Sequence, residues 1–202
     1  MKYLLVVFLW TLYVSLHSYL ISTRFTNLMN RLLKEYYAFY RLFYILISLI
    51  LLIPLINFAN QIDDKVIIVY ESPFSVIRYI MTGFSLLIFF YAFFFNYDSL
   101  SFFGIRQIMN FKKEVKINPT DTIKRNGLLG LIRHPMYFAL IIYLWCQTFR
   151  MMDIYVNVLL TLYVIIGTIL EEKKLVLEFG NAYVKYQKEV PMLIPFTKKI
   201  FK

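Results

Sequence analysis

The chain has one cysteine, Cys146, among 202 residues. A disulfide framework, a thiolate metal cluster and a CxxC redox motif are therefore excluded. Glycine is scarce, with six residues at 83, 104, 127, 130, 167 and 180, and they form neither GxGxxG nor a Walker A sequence. A soluble nucleotide-binding domain built on such a loop is excluded as well. Acidic residues number 12 against 22 Lys and Arg, and only 17% of the chain is charged. What fills the chain is apolar: 60% hydrophobic, 19% aromatic, mean hydropathy +0.62, against about 45–50% apolar in soluble domains. A net charge of +10 would suit nucleic acid, but the basic residues sit between apolar runs, where a bilayer protein carries them. The composition is that of a membrane protein with no sizeable domain outside the bilayer.

Crossing a hydrocarbon core takes roughly 20 residues of helix, or as few as about 17. Five segments meet that length: Tyr3–Ile21, Phe39–Phe58, Ser75–Tyr97, Gly127–Phe149 and Ile154–Leu170. The first lacks the basic start and small-residue cleavage site of a secretory signal and is read as a span. The connection after the first span, the one after the third and the segment after the fifth, taken with Arg41 and Arg133 at the edges of the second and fourth spans, hold 18 of the 22 Lys and Arg residues. Positive charge marks the cytoplasmic side, so the expected topology is five spans with the N-terminus out and the C-terminus in, in a bacterial cytoplasmic membrane. After Leu170, the residues Leu175, Phe179, Ala182, Tyr183 and Tyr186 recur at helical spacing among Lys, Glu and Gln. This predicts an amphipathic helix at the inner surface, stopped by Val190-Pro191. The whole reads as a single domain over residues 1–202, all-α, with the bilayer as its one certain partner and no obligate protein partner.

Polar residues inside the apolar blocks are the informative ones. The unbroken apolar run Met136–Phe149 is short for a span, so the fourth segment must begin earlier and take in Arg133-His134-Pro135. Ionisable groups at such depth mark function by default. Only about four residues join the fourth and fifth spans, which predicts an antiparallel hairpin. Level pairing then sets Arg133 opposite Leu170 and His134 opposite Ile169, so Glu171-Glu172 lie at the same depth. Two carboxylates, a guanidinium, an imidazole and a helix start converging there suit a zwitterionic ligand; the plainer alternative is an interfacial flank that snorkels. His17, between Ser15 and Ser18 in the first span, either bonds a neighbouring helix or lines a substrate site. Cys146 reads as packing.

The stretch Gly127-Leu128-Leu129-Gly130-Leu131-Ile132-Arg133-His134-Pro135-Met136-Tyr137, followed by a hydrophobic hairpin, Glu171-Glu172, Phe179-Gly180, Tyr183, Tyr186, Val190-Pro191 and Ile194-Pro195, resembles the C-terminal signature of the integral membrane methyltransferases. That superfamily includes isoprenylcysteine carboxyl methyltransferases, phospholipid N-methyltransferases and the NnrU-like and methanethiol S-methyltransferase branch. The resemblance covers about Asp121 to Phe196. It implies a small bundle of membrane helices that holds S-adenosylmethionine on its cytoplasmic side beneath the C-terminal region. Carried over residue by residue, it implies cofactor binding by Asp121, Thr122, Ile123, Lys124, His134, Pro135, Tyr137 and Glu171, to which the level pairing adds Arg133 and Glu172. At Leu129 prenylcysteine enzymes often carry Tyr, so a ring or hydroxyl contact to the cofactor is lost there. Four residues before Glu171, where those enzymes resemble one another in an Arg, stands Gly167. A weaker likeness to the NnrU-like branch runs through Trp10, His17-Ser18, Tyr40-Arg41 and Tyr44.

The expected activity is methyl transfer from S-adenosylmethionine to a small or lipidic acceptor, such as a thiol or a lipid amine, leaving S-adenosylhomocysteine and needing no metal. The catalytic residue is open, with His17 and Arg41 as candidates for favouring a thiolate. The alternatives are a non-catalytic accessory or binding protein on the same scaffold and a small transporter. The transporter is disfavoured because the polar groups cluster at one face.

Overall fold

A computed structural model describes residues 1–111, 123 and 125–197. Residues 1–67, 149–159 and the described part of 99–117 form one compact unit, and the described parts of 68–98, 118–148 and 160–202 form a second.

In the first unit, α1 (Lys2–Ile21) and α3 (Tyr40–Gln61) are long and apolar enough to cross a membrane. Pro54 lies inside α3 and is tolerated there, as prolines often are in membrane helices. The two helices meet along one stripe on each: Val6, Trp10 and Val14 on α1, and Tyr40, Tyr44, Ser48, Leu55 and Ala59 on α3. The Tyr40 hydroxyl donates to the Leu20 carbonyl at 2.6 Å, so the end of α1 and the start of α3 lie at one level. Between them comes a helix the sequence reading left as connection, α2 (Thr23–Leu33), followed by a 3-10 turn at Lys34–Phe39. At the other end of the unit, β1 (Val66–Ile68) pairs with β2 (Phe149–Arg150). The Asp64 carboxylate accepts from the Tyr3 hydroxyl at 2.7 Å and the Met152 amide at 2.8 Å. These bonds, the first foremost, hold its carboxyl below the usual range. Two short helices, α5 (Ser99–Phe102) and α6 (Ile105–Met109), complete the unit's described residues.

In the second unit, α4 (Phe74–Tyr91) continues through a wider turn at Ala92–Asn96 and packs along α7 (Pro135–Trp145). Three of its most deeply buried positions are small, Ser85, Ala92 and Ala139, as close approach of membrane helices requires. The chain then enters α8 (Met151–Phe179), whose first nine residues belong to the first unit and the rest to the second. At 29 residues, α8 is about 44 Å long, which exceeds a hydrocarbon layer of about 30 Å. Its last turns, with Glu171 and Glu172, extend past an apolar run of ordinary length. Gly180, at φ +56°, ends it, and α9 (Asn181–Glu189) follows.

The protein is an all-α, multi-pass integral membrane protein, with four helices of spanning length and one shorter apolar helix among the described residues. Two boundaries differ from the sequence reading. The fourth segment, expected over 127–149, is helical only from Pro135 to Trp145. Gly127–Gly130 forms a 3-10 turn with Gly127 at φ +61°, a conformation that favours glycine. Pro135 then starts the helix at its first position, where a missing N–H costs nothing. The amphipathic segment expected after Leu170 is divided between the end of α8 and α9, because Gly180 interrupts it.

Candidate functional site

The polar centre of the second unit is built on Glu172. Arg133 Nε donates to Glu172 Oε1 at 2.5 Å and its Nη2 donates to Oε2 at 2.8 Å, the two-pronged geometry in which guanidinium and carboxylate pair best. The remaining terminal nitrogen, Nη1, donates to the carbonyls of Gln187 and Val190. Four of the five guanidinium N–H groups are thus committed inside the protein. His134 Nε2 lies 3.2 Å from Glu172 Oε1, Gln187 Nε2 donates to Oε2 at 2.9 Å, and the Tyr183 hydroxyl approaches Oε1 at 3.5 Å. Arg133, His134 and Glu172 are each under 10% exposed. A buried ion pair is tolerated only when hydrogen bonds satisfy what remains of both partners, and that condition is met here.

Main-chain bonds tie the same point to the C-terminal segment. Non-helical backbone at membrane depth must find partners within the protein. The two residues ahead of α7 do so: Arg133 N–H donates to the Pro191 carbonyl at 2.9 Å and His134 N–H to the Met192 carbonyl at 3.2 Å. Val190-Pro191 therefore does more than stop a helix, because the chain after it closes the entry to α7. Tyr183, Tyr186 and Val190 form a buried cluster, with Ile123, Leu175, Val176 and Phe179 packed against it. Arg125 pairs with Glu189 and lies over the Tyr186 ring, 5.3 Å from its centre. Burial pushes the Tyr186 phenol up to about 12, with Arg133 and Arg125 pulling the other way.

Glu171, one residue earlier on α8, is set differently. Its Oε2 accepts from the Tyr137 hydroxyl at 2.8 Å, and the Tyr137 ring stacks parallel to that of His134, with centres 5.5 Å apart. Tyr97 stands close enough that burial first, and then the charge of Glu171, raises its phenol above the ordinary value. Glu171 is only partly buried. The two adjacent carboxylates divide the work: Glu172 is consumed in holding the fold, and Glu171 is presented on a phenol at the edge of the cluster. A cavity of about 460 Å³ also borders the cluster, lined by Ile169, Glu172, Lys173, Val176, Leu177 and Gln187. Neither Tyr137 nor Glu171 is among those residues.

The other residues singled out in the sequence fall as follows. Pro135 is fully buried at the start of α7. Leu129 acts through its backbone, whose carbonyl accepts from the Tyr186 hydroxyl at 2.6 Å. Ile123 packs in the tyrosine cluster, while Asp121, Thr122 and Lys124 lie outside the described residues. Gln187 and Tyr97 were not foreseen. Gln187 follows Tyr183 by one helical turn, but nothing local ties it to Glu172, fifteen residues earlier, and Tyr97, two residues past a run of phenylalanines, gave no signal.

His17 and Arg41 belong to the first unit. His17 Nδ1 lies 3.1 Å from Ser48 Oγ, and the Ser48 hydroxyl donates to the Tyr44 carbonyl at 2.8 Å. With that proton spent, Ser48 accepts from Nδ1–H, and Nε2 accepts from the Tyr44 hydroxyl at 2.6 Å. Both ring nitrogens are thus engaged between α1 and α3. Arg41 Nε donates to the Phe102 carbonyl at 2.9 Å. Gly104, at φ +81°, lies so close that a Cβ there would stand 3.0 Å from Arg41 Cβ and from Leu42 N.

No family model matches the chain, and no solved structure matches it significantly. Curated sequences do. Over 99 residues, 48% of this chain and 37% of the relative, it is 38% identical to the methanethiol S-methyltransferase of Pseudomonas deceptionensis. It is 32% identical to that of Crocosphaera subtropica over 99 residues, 48% of this chain and 38% of the relative. To methanethiol S-methyltransferase 1 of Bradyrhizobium diazoefficiens it is 28% identical over 133 residues, 64% of this chain and 46% of the relative. The chain spans less than half the length of these curated relatives, and over that span it is similar to methyltransferases, as the residues around Arg133 and Glu171 led one to expect.

Proposed function

We propose that this protein is an integral membrane methyltransferase that moves a methyl group from S-adenosylmethionine to a small thiol. The observation that carries the reading is the division of labour at Glu171-Glu172. Arg133, His134, Gln187 and Tyr183 surround Glu172, while Tyr137 holds Glu171 at the edge of the same cluster. The residues fit the donor: a carboxylate with one phenol on it is the group a cationic, ammonium-bearing molecule needs, and the neighbouring guanidinium is already neutralised. Glu171 with Tyr137 and His134 would hold it, and the resemblance adds Asp121, Thr122, Ile123 and Lys124 as candidates. When bound, the donor supplies a methyl group already activated on a sulfonium, so the protein's task is alignment and exclusion of water. A thiol must reach that point as thiolate. His17, by its imidazole, and Arg41, by its positive charge, are the candidates we keep for favouring the thiolate.

The thiol acceptor is favoured by the names of the relatives and by Gly167. In prenylcysteine enzymes the matching position resembles Arg, and a carboxylate at the membrane interface needs a counter-ion. A competition experiment decides it: purified protein with labelled donor is offered methanethiol, a lipid amine and a prenylcysteine together. Label is expected in the thioether, and saturable transfer to the prenylcysteine carboxylate would overturn the assignment. A side chain at Gly167 would meet open space, with nothing within 4 Å of its Cβ, so Gly167→Arg introduces no clash at the Cβ and tests whether an added charge recruits carboxylates.

We also place the N-terminus outside and the C-terminus in the cytoplasm, because 18 of 22 basic residues fall on one side of the five-span reading. Single cysteines in a Cys146→Ser background should then label from outside at position 65 and only after permeabilisation at position 188. The reverse pattern would invert the topology.

A further inference from the structure

The helix α2 buries none of its residues, yet its sequence is sharply two-sided. At 3.6 residues per turn, Phe25, Leu28, Met29, Leu32 and Leu33 fall within an arc of about 140°. Thr23, Arg24, Thr26, Asn27, Asn30 and Arg31 fill the remainder. Leu28 is 47% exposed and Leu32 65% exposed. Such a face is unstable in water over three turns. The start of the helix is fixed: Ser22 Oγ accepts the Phe25 N–H at 3.3 Å, and the Phe25 ring packs on Tyr19 and Tyr40. Both ends are fixed at one level, since α2 and the turn after it connect the end of α1 to the start of α3, which are joined by the bond from Tyr40 to Leu20.

We propose that α2 lies in the plane of the membrane surface, with Leu28 and Leu32 among the upper acyl chains and Arg24, Arg31 and Lys34 holding anionic lipid headgroups. Two features select a lipid surface over a protein partner. The helix is flanked by α1, of 20 residues, and α3, of 22, each long enough to span, so its apolar face begins at the depth where a hydrocarbon layer ends. Its charge is of one sign: residues 23–34 contain three cations and no carboxylate. Arg24 and Arg31, seven residues apart, share the border next to Leu28. This is the pattern of helices that lie on anionic bilayers, each basic side chain adding to the attraction. The inference does not depend on the reaction proposed above.

The test uses the full-length protein with Cys146→Ser, reconstituted in vesicles of phosphatidylcholine alone or with phosphatidylglycerol, and one environment-sensitive label at Leu28→Cys, Leu32→Cys or Asn30→Cys. Labels at 28 and 32 are expected to be quenched by shallow nitroxide lipids, and the label at 30 by aqueous iodide. With phosphatidylglycerol, lipid quenching at 28 and 32 should rise about twofold. The combined Arg24→Gln, Arg31→Gln and Lys34→Gln variant should lose that rise and keep its basal quenching. Iodide reaching 28 and 32 as readily as 30 would overturn the proposal, and so would shielding of 28 and 32 from both quenchers, which would assign the face to a protein. Equal lipid quenching in both vesicle types would overturn the role of the cations.

Discussion

Replacing Arg133 with methionine is expected to destabilise the protein by about 3–5 kcal/mol, because it strands the Glu172 carboxylate in a site under 10% exposed. It also frees the Gln187 and Val190 carbonyls that Arg133 now satisfies, loosening the C-terminal segment from the entry to α7. Thermal unfolding in detergent, followed by the far-ultraviolet helix signal, measures the loss. Glu172→Leu should cost about as much by stranding the guanidinium. The double variant is expected to be more stable than either single one, since an apolar pair of similar volume often replaces a buried ion pair at little cost. Additive losses in the double variant would show that each residue matters through its other partners.

The second large effect is expected one residue away and in a different observable. Glu171→Gln keeps the side-chain volume and a hydrogen-bond acceptor for Tyr137 but removes the charge. Binding of S-adenosylmethionine, by calorimetry or fluorescence in detergent, should weaken about ten- to a hundredfold, the loss of one charged hydrogen bond of about 1.5–3 kcal/mol. The unfolding temperature should stay near that of the parent. Tyr137→Phe should weaken binding less, since it removes only the group that holds the carboxylate. If Glu171→Gln instead unfolds the protein and leaves affinity intact, the division of labour between the glutamates is reversed.

The depth pairing of Arg133-His134 with Glu171-Glu172 was legible because it follows from the length of a hairpin, which counting residues can supply. Which glutamate serves the fold was not. It depends on where Gln187, Tyr183 and the carbonyls of 187 and 190 lie, and these are long-range contacts with no local pattern. The apolar spans were legible from hydropathy alone. The shortness of α7 was not, since Gly127-Leu128-Leu129-Gly130 is as apolar as a span and stops being helix only through the backbone freedom of Gly127 and the partners that 191 and 192 offer to 133 and 134. The helix α2 was hidden by its polar half: a search for continuous apolar runs passes over a segment that is apolar on one side only. Its periodicity of three and four was nonetheless present in Phe25, Leu28, Met29 and Leu32.

The brevity of α7 has a consequence for how reactants from two phases meet. Eleven residues give about 16 Å of helix, roughly half the thickness of the hydrocarbon layer beside it. A bilayer accommodates such hydrophobic mismatch by thinning locally, which draws the headgroup plane down toward the start of the helix, where Pro135 and the Arg133–Glu172 pair lie. Under the proposed function, a water-soluble, charged donor would then have only a shallow descent to make, while an apolar thiol would arrive sideways through the lipid. The length of one helix thus sets the depth at which the aqueous and oily phases share a boundary.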